Sequence, residues 1–401
     1  MALDPVRTLI ARWPEGRPED VALLKSCGVE AVMEEDAAPL ATALTNAGVA
    51  VYPKSAIPHV VSEGLWPGIR GEPRPRDRDE TSSASREPWV DGNSYLAYFE
   101  RALHPDRPAV LGYRANKDAG LEESRIVPFE SLEIAYAEAR MAGGNYLLSF
   151  DPRYREALRA GDAKAKTAAE SLARTHRWLK NVEPLLGKPV LPAVTMLVEP
   201  GDTLELANLS YRRGVSPKLV ALARLPKPAP DRILVLSAAN FETVPAAVYD
   251  HARAGSTVVI DIKPHPSWKL LKKENDRSVY GLGKGQVVAY HDRVLDPSEY
   301  GLDLNDLVTY RRRPVRIWNA LAAIAIGTEA PKPGDALLHL VNYGAKVDQD
   351  VQARVQGHFT KATLLRPEDP AARDLKINKR GTTSEVFLPD LLHVAIVHFQ
   401  R

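Results

Sequence analysis

Cysteine is almost absent from this 401-residue chain, and that absence excludes two kinds of stabilisation. Cys27 is the only cysteine, so the chain can form neither an internal disulfide nor a metal site built on several thiolates. A single cysteine is compatible with both reducing and oxidising compartments. The segment MALDPVRTLIARW (1–13) shows no signal-peptide pattern. We therefore leave open whether this bacterial-type protein is exported or cytoplasmic.

The chain also lacks several signals that would point to other classes of partner. No apolar run is long enough to span a bilayer. The net charge is only +2, with acids and bases mixed along the chain, which argues against nucleic acid as the main partner. The short basic run Tyr310-Arg311-Arg312-Arg313 is the exception, and we interpret it as solvated surface. The histidines show no metal-ligand spacing, so we expect neither a metal nor another cofactor.

The first part of the chain alternates strands and helices in a βαβαβ order, which predicts a parallel sheet covered by helices. The predicted strands are 8–13, 30–35, 49–55, 108–114 and 145–150, and the predicted helices are 18–28, 38–48, 93–103, 129–144 and 163–186. No G-x-G-x-x-G follows the first strand, which disfavours a nucleotide-binding sheet. Polar and aromatic residues end nearly every strand, as they do at the active face of a (β/α) TIM-like barrel. A complete barrel has about eight strands; either some lie in 56–92 or the barrel is incomplete.

Two further domains are predicted from Pro189 onwards. Apolar runs at 190–198, 218–225, 232–238 and 256–262, with helices between them, are typical of a flavodoxin-like α/β domain, and 279–291 predicts a hairpin. Period-two alternation after Arg313 predicts a C-terminal antiparallel β-sandwich. The expected domains are therefore 1–188, 189–312 and 313–401.

The order of these three parts resembles that of family 42 β-galactosidases. The likeness lies in RILVLSAANFETVPAAVYDHARAGSTVVIDI (232–262) and GLGKGQVVAYHDRVLDPSEYG (281–301), which resemble the amidotransferase-like middle domain of those enzymes. The resemblance implies a glycoside hydrolase-like barrel, a carbohydrate substrate and a homo-oligomer formed through the middle or C-terminal domain. The catalytic Asn-Glu pair of that clan does not occur in the first 190 residues, so the catalytic residues of the family cannot be transferred.

Glycoside hydrolysis needs two carboxyl groups that flank the scissile bond. The candidates near predicted strand ends are Glu34, Glu35, Asp91 and Asp151. If the second strand continues through Glu35, the two glutamates point to opposite faces and one of them faces the barrel mouth. The alternative role, a cap for the helix that begins near Pro39, suits Asp36 better than either glutamate. Asp151, followed by Pro152, also fits an ordinary helix start.

The remaining candidates are residues that could hold a sugar at the same face: Arg12, Trp13, Lys54, Trp89, Asn93, Tyr113 and Arg114. Asp91 and Asn93 both precede the helix at 94–103, which needs only one cap, so the other is available for a site. Trp89 offers a flat ring for a sugar, or it packs as a hydrophobic staple on that helix. Arginine and lysine would suit a carboxylated sugar, or they form internal salt bridges.

Two functions remain open from the sequence. The first is a glycoside hydrolase-like enzyme acting through two carboxylates. The alternative is a non-catalytic glycan-binding or assembly protein whose barrel has lost its acids. Two carboxyl groups about 5–10 Å apart in one pocket would favour hydrolysis.

Overall fold

The structure of the chain is a computed structural model. The structure describes residues 3–53, 62–63, 68–69, 90–112, 127–201, 203–230, 232–236, 244–261, 265–291, 297–320, 322–344 and 347–401. Three parts follow one another along the chain, the first two with one main sheet each and the third with two. Over the described residues, no helix combines the length and the apolar character needed to cross a membrane.

Eight strands and seven helices are described in the first part of the chain. The strands are β1 (Ile10–Arg12), β2 (Ala31–Met33), β3 (Ala50–Tyr52), β4 (Ser62–Glu63), β5 (Gly68–Ile69), β6 (Val90–Asp91), β7 (Val110–Gly112) and β8 (Asn145–Ser149). The helices are α1 (Asp20–Ser26), α2 (Glu34–Ala37), α3 (Ala41–Ala47), α4 (Ser94–Leu103), α5 (Ser131–Met141), α6 (Pro152–Ala160) and α7 (Ala163–Asn181).

Six of these strands form a parallel sheet in the order β3-β2-β1-β8-β7-β4. Strands that follow one another along the chain are neighbours, and the first strand pairs with the last through Ala11 and Leu148. A doubly wound sheet would instead reverse direction at its first strand. The pairing of β1 with β8 is the one that closes a (β/α) barrel, and among the described residues the ring is open between β3 and β4. The predicted TIM-like barrel is therefore present in an incomplete form.

The second sheet has the order β10-β9-β11-β12-β15-β14-β13. Its strands are β9 (Val194–Val198), β10 (Lys218–Ala221), β11 (Ile233–Leu236), β12 (Thr257–Ile260), β13 (Lys269–Lys273), β14 (Arg277–Leu282) and β15 (Gly285–Tyr290), and its helices are α8 (Thr203–Arg212), α9 (Ala246–Ala254) and α10 (Pro297–Arg312). The five parallel strands run in the order 2-1-3-4-5 along the chain, which is the flavodoxin-like order. The predicted hairpin is β14–β15, and the sequence pattern missed β13.

Two antiparallel sheets form the third part, as the period-two alternation predicts. One has the order β16-β19-β23-β22 and the other β17-β18-β24-β20-β21. Their strands are β16 (Val315–Trp318), β17 (Ala323–Glu329), β18 (Ala336–Asn342), β19 (Asp348–Gln356), β20 (Lys361–Arg366), β21 (Asp369–Leu375), β22 (Asn378–Arg380), β23 (Thr383–Leu391) and β24 (Val394–Gln400). The apolar faces of the two sheets share one buried cluster, so the unit is a β-sandwich.

Helix α5 is the element that joins the first part to the third. All 11 of its residues are buried, although a barrel helix usually exposes one face to solvent. Its neighbours include β8, α7, α4 and the sandwich strands β18 and β24. Helix α4 in turn contacts β9, β10 and α8 of the second part, and its Tyr98 stacks on Tyr211 of α8 with ring centroids 5.9 Å apart. One hydrophobic cluster consequently runs through all three parts.

We expect two glycines with the same backbone conformation to respond very differently to alanine. Gly48 (φ 69°) ends α3 with open space where a methyl group would lie, whereas a Cβ on Gly143 (φ 81°) would lie 2.7 Å from the Cα of Gly187. Gly48→Ala should lower the free energy of unfolding by about 1–2 kcal/mol, the cost of a left-handed alanine. Gly143→Ala should lower it by a further 1–3 kcal/mol or so, because the backbones must separate. Urea denaturation of both variants measures this difference, and equal losses would contradict the close packing.

Candidate functional site

The carboxyl-terminal ends of β1 and β2 bring together one guanidinium group and two carboxylates. The Nε of Arg12 lies 3.1 Å from Oδ2 of Asp36, and its Nη2 lies 3.1 Å from Oε2 of Glu35. The backbone N–H of Trp13 donates to Asp36 at 3.0 Å. The side chains of Arg12 and Glu35 are 27% and 34% exposed, whereas that of Asp36 is 6% exposed. We call this end of the first sheet the carboxyl edge.

The expectation that the side chains of Glu34 and Glu35 point to opposite faces of a strand was wrong, because β2 ends at Met33. Helix α2 begins at Glu34 without an intervening loop, after Met33 in extended conformation. Three consecutive acids occupy its first turn, where the exposed N–H groups and the helix dipole favour negative charge. A helical turn spaces these carboxylates around an axis, so Glu35 and Asp36 can both reach Arg12.

Trp13 contacts the carboxyl edge through its backbone and packs its side chain in the core. Its side chain is fully buried, its Nε1 donates to Asp20 at 3.0 Å, and its ring packs on Phe150 with centroids 5.0 Å apart. Burial alone would raise the pKa of Asp20, but hydrogen bonds from Arg159, the Arg17 N–H and Trp13 outweigh it and lower that pKa to about 2. The ring of Trp13 is therefore engaged in the core and not offered to solvent.

Asp151 caps a helix, as its sequence context allows. Its Oδ1 accepts a hydrogen bond from the N–H of Tyr154 at 2.7 Å, and Pro152 occupies the first helical turn of α6. This is the usual chemistry of a helix start that follows a strand. Asp151 follows β8, whose end pairs with the end of β1, so it belongs to the same edge as Arg12.

Asn93 precedes α4 and lies against α5. Its backbone N–H and its Nδ2 donate to the carboxylate of Glu138 at 2.7 and 2.9 Å. The same carboxylate accepts from the N–H of Ser94 at 3.1 Å and from the hydroxyl of Tyr343 at 2.6 Å. Helix α4 is thus capped by Glu138 from a neighbouring helix, and the side chain of Asn93 makes no cap hydrogen bond to it.

A side chain larger than glycine at position 92 would crowd this carboxylate and Tyr343. A Cβ on Gly92 would lie 2.7 Å from the Tyr343 hydroxyl and 3.2 Å from Oε2 of Glu138. The dipeptide Gly92-Asn93 therefore fits a point where three elements meet. Sequence reasoning missed Glu138 and Tyr343; the only signal was a glutamate in the largely apolar helical segment 131–141.

The other predicted site residues lie partly or wholly outside the described part of the chain. Asp91 belongs to β6, which pairs with β5 through Gly68, and its side chain lies outside the described residues. Lys54, Trp89, Tyr113 and Arg114 also lie outside them. The structure therefore brings Arg12 and Glu35 into contact, with Glu34 next to Glu35 in the chain. A role of Trp89 and Tyr113 in sugar binding stays a prediction.

Several carboxyl groups outside the carboxyl edge have a raised pKa. Burial raises the pKa of Glu100 and of Glu138 to about 7, and it also raises that of Glu199 after β9 and of Glu368 between β20 and β21. No cluster of three or more His, Cys, Asp or Glu side chains that could hold a metal occurs in the described ranges.

The carboxyl edge offers hydrogen-bond donors and acceptors in an ion pair. This combination is suited to binding the hydroxyl groups of a polar ligand.

No protein-family model and no curated protein matches the chain. Among solved structures, α-L-fucosidase isoenzyme 2 from Paenibacillus thiaminolyticus is similar over 91% of this chain and 70% of its own, with a TM-score of 0.53 and 11% identity. A GH42 β-galactosidase from G. stearothermophilus is similar over 77% of this chain and 56% of its own, with a TM-score of 0.49 and 11% identity. The β-galactosidase from Bacillus circulans sp. alkalophilus is similar over 76% of this chain and 58% of its own, with a TM-score of 0.49 and 10% identity.

The likeness to the fucosidase establishes the fold of this chain as glycoside hydrolase-like, and at 11% identity it establishes the fold alone. This confirms the fold predicted from the order of the three parts. The chain spans little more than half the length of the two β-galactosidases.

Glu138 should make stability depend on pH in a defined direction. Burial raises its folded pKa to about 7 from the ordinary value of 4.5, so near pH 6 the folded state holds a proton that the unfolded state has released. Stability should therefore fall as the pH rises from about 4.5 to about 7, by on the order of 3 kcal/mol at most.

The isosteric variant Glu138→Gln removes this titration. We expect the difference in free energy of unfolding between the wild type and the variant to change across pH 5–8, measured by urea denaturation at each pH. A difference that stays constant over this range would show that Glu138 does not titrate there.

Proposed function

We propose that this protein binds a carbohydrate at the carboxyl edge of its incomplete barrel and does not hydrolyse it. The observation that carries the proposal is the partly exposed pair of Arg12 and Glu35 at the ends of two adjacent parallel strands. In (β/α) barrels, ligands bind at this end of the strands. The solved structure with the same fold is named as a fucosidase, which supports a sugar as the ligand.

The contacts of the carboxylates favour binding over catalysis. Hydrolysis needs one carboxyl group to protonate the leaving oxygen and another to attack or to activate water. Asp36 is held by Arg12 and the N–H of Trp13, Asp151 caps α6, and Glu35 is paired with Arg12. Each of these three carboxylates already stabilises the edge itself.

We expect the ion pair to control sugar affinity more than stability. Glu35→Gln keeps the shape of the side chain and removes its charge, and Arg12→Lys removes the planar guanidinium. Each should weaken sugar binding about tenfold, the effect of losing one hydrogen bond to a charged group. Glu35→Gln should change the free energy of unfolding by at most about 1 kcal/mol, since a partly exposed pair contributes little.

Isothermal titration with fucosides, galactosides and rhamnosides measures the affinities. The matched control is Arg253→Gln, which breaks an exposed pair with Asp250 (2.5 Å) on α9, far along the chain from the edge. Wild-type protein that binds none of these sugars would refute the proposal, as would an equal loss of affinity in the control.

Hydrolysis stays the second candidate because Glu34 is exposed beside Glu35 at the same edge. A screen with nitrophenyl glycosides separates the two functions. We expect no turnover by the wild type. Turnover that Glu34→Gln, Glu35→Gln or Asp91→Asn abolishes would establish the hydrolase and refute the binding-only proposal.

We also retain the division of the chain at 188 and 312 as a proposal, with an amidotransferase-like second domain. Its chemistry would not be that of an amidotransferase, because the single cysteine, Cys27, lies in the first part and is buried. We propose that the second or third domain carries homo-oligomer contacts, which sedimentation equilibrium of the full chain would test.

A further inference from the structure

A cluster of ionisable side chains lies buried between the barrel and the sandwich. His393 lies in the turn between β23 and β24, and its Nδ1 is 3.2 Å from Oε2 of Glu133 on α5. The two side chains are 10% and 1% exposed. The other oxygen of Glu133 accepts a hydrogen bond from the hydroxyl of Thr175 on α7 at 2.6 Å. The sandwich thus contacts this barrel carboxylate through a histidine, a side chain whose charge changes near neutral pH.

A second carboxyl group lies within electrostatic reach of the same histidine. Glu368 lies in the turn between β20 and β21, and β20 pairs with β24. Its Oε1 is buried and has no hydrogen-bond partner among the described residues. Burial raises the pKa of Glu368, and the charge of Glu133 acts in the same direction. The two carboxyl groups therefore repel each other when both are ionised.

The cluster also contains Glu130 and Arg174. Glu130 precedes α5, and its charge favours the protonated form of His393, as do the charges of the two carboxyl groups already named. Arg174 of α7 donates to the hydroxyl of Ser171 at 2.8 Å, and its charge acts on Glu368. Three carboxyl groups thus act on one imidazole, and one guanidinium group compensates part of their charge.

The proton on His393 decides whether the charges of this cluster are balanced. With the proton bound, the imidazolium compensates the carboxylates of Glu133 and Glu368. Without it, these carboxylates keep Arg174 and lose their second cation. Because a buried carboxylate without a matching cation is destabilising, the contact between sandwich and barrel must weaken when the ring becomes neutral.

We propose that His393 is a pH-sensitive switch that controls how tightly the sandwich is held against the barrel. The contact that it controls is formed by β18 and β24 on one side and α5 on the other. The switch is closed when the ring carries a proton and opens when the ring has lost it. The proposal does not depend on the binding of a sugar at the carboxyl edge.

The direction of the switch follows from the environment of the ring. Burial alone would lower the pKa of His393, but the hydrogen bond and the charge of Glu133 outweigh burial and raise it. An unfolded histidine titrates near pH 6.5. The stabilisation is therefore complete below about pH 6.5 and is lost as the pH rises through the higher folded pKa. His339 on β18 does not contribute, because burial lowers its pKa to about 4 and it stays neutral in this range.

Hydrogen exchange of the full-length protein tests the switch. Amide protection is compared at pH 6 and pH 9 after correction for the intrinsic pH dependence of exchange. The reporters are the amides of α5 and that of Asn342, whose N–H donates to the carbonyl of His393 at 2.7 Å. We expect their protection to fall about tenfold at pH 9, because the contact opens more often. The amides of β11, a buried strand of the second sheet, should keep their protection.

The variant His393→Gln removes the titration. Its protection at pH 6 should already be as low as that of the wild type at pH 9. Glu138 is unchanged in this variant, so the part of the pH dependence that the variant loses belongs to His393. The matched control is His358→Gln, which changes an exposed histidine of the same sandwich and should behave as the wild type.

The variant Glu368→Gln should act in the opposite direction. It removes one of the two carboxylates that repel each other at high pH, so it should retain more protection at pH 9 than the wild type. A glutamate with only a structural role would instead lose protection at both pH values when it is changed.

Three results would overturn the proposal. The first is wild-type protection that is the same at pH 6 and pH 9. The second is a His393→Gln protein that keeps the full pH dependence of the wild type. The third is an equal loss of protection at pH 9 in Glu368→Gln and in the wild type, a comparison that decides the matter even where His393→Gln does not fold.

Discussion

The carboxylate of Glu138 is the interaction on which the arrangement of this molecule depends. It lies on α5, it supplies the cap of α4 through Asn93 and Ser94, and it accepts the hydroxyl of Tyr343 from the sandwich. A buried carboxyl group is tolerated only when its hydrogen-bonding capacity is filled. Because the partners come from two separate segments, the start of α4 and the sandwich, the carboxylate is satisfied only when both are in place against α5.

A second contact of the same kind lies about one and a half turns earlier on α5. Glu133 accepts from the hydroxyl of Thr175 at 2.6 Å, and its other oxygen lies 3.2 Å from Nδ1 of His393. Burial lowers the pKa of His393, but Glu133 outweighs that effect and raises it. The reciprocal contact lowers the pKa of Glu133 despite its burial. Helix α5 thus joins the barrel to the sandwich by two buried carboxyl groups, and its packing on elements of both parts buries all its residues.

The fold could be predicted from the sequence because most of it is encoded locally. Glycines in left-handed conformation end α3 and α9 at Gly48 and Gly255, as is usual at the C-terminus of a helix. The apolar runs of the second part became β9 to β12, and the alternation of the third part became the sandwich. The exposed strand β13 carries no such pattern, because all five of its residues are exposed.

The site was less predictable because its contacts are between distant parts of the chain. Nothing near Asn93 in the sequence indicates that Glu138, 45 residues away, would cap α4. The pairing of Glu35 with Arg12 depends on β2 ending at Met33, and a one-residue difference in strand length changes the direction of every following side chain. Burial of Trp13 likewise follows from Asp20 and Phe150, which only the folded chain brings to it.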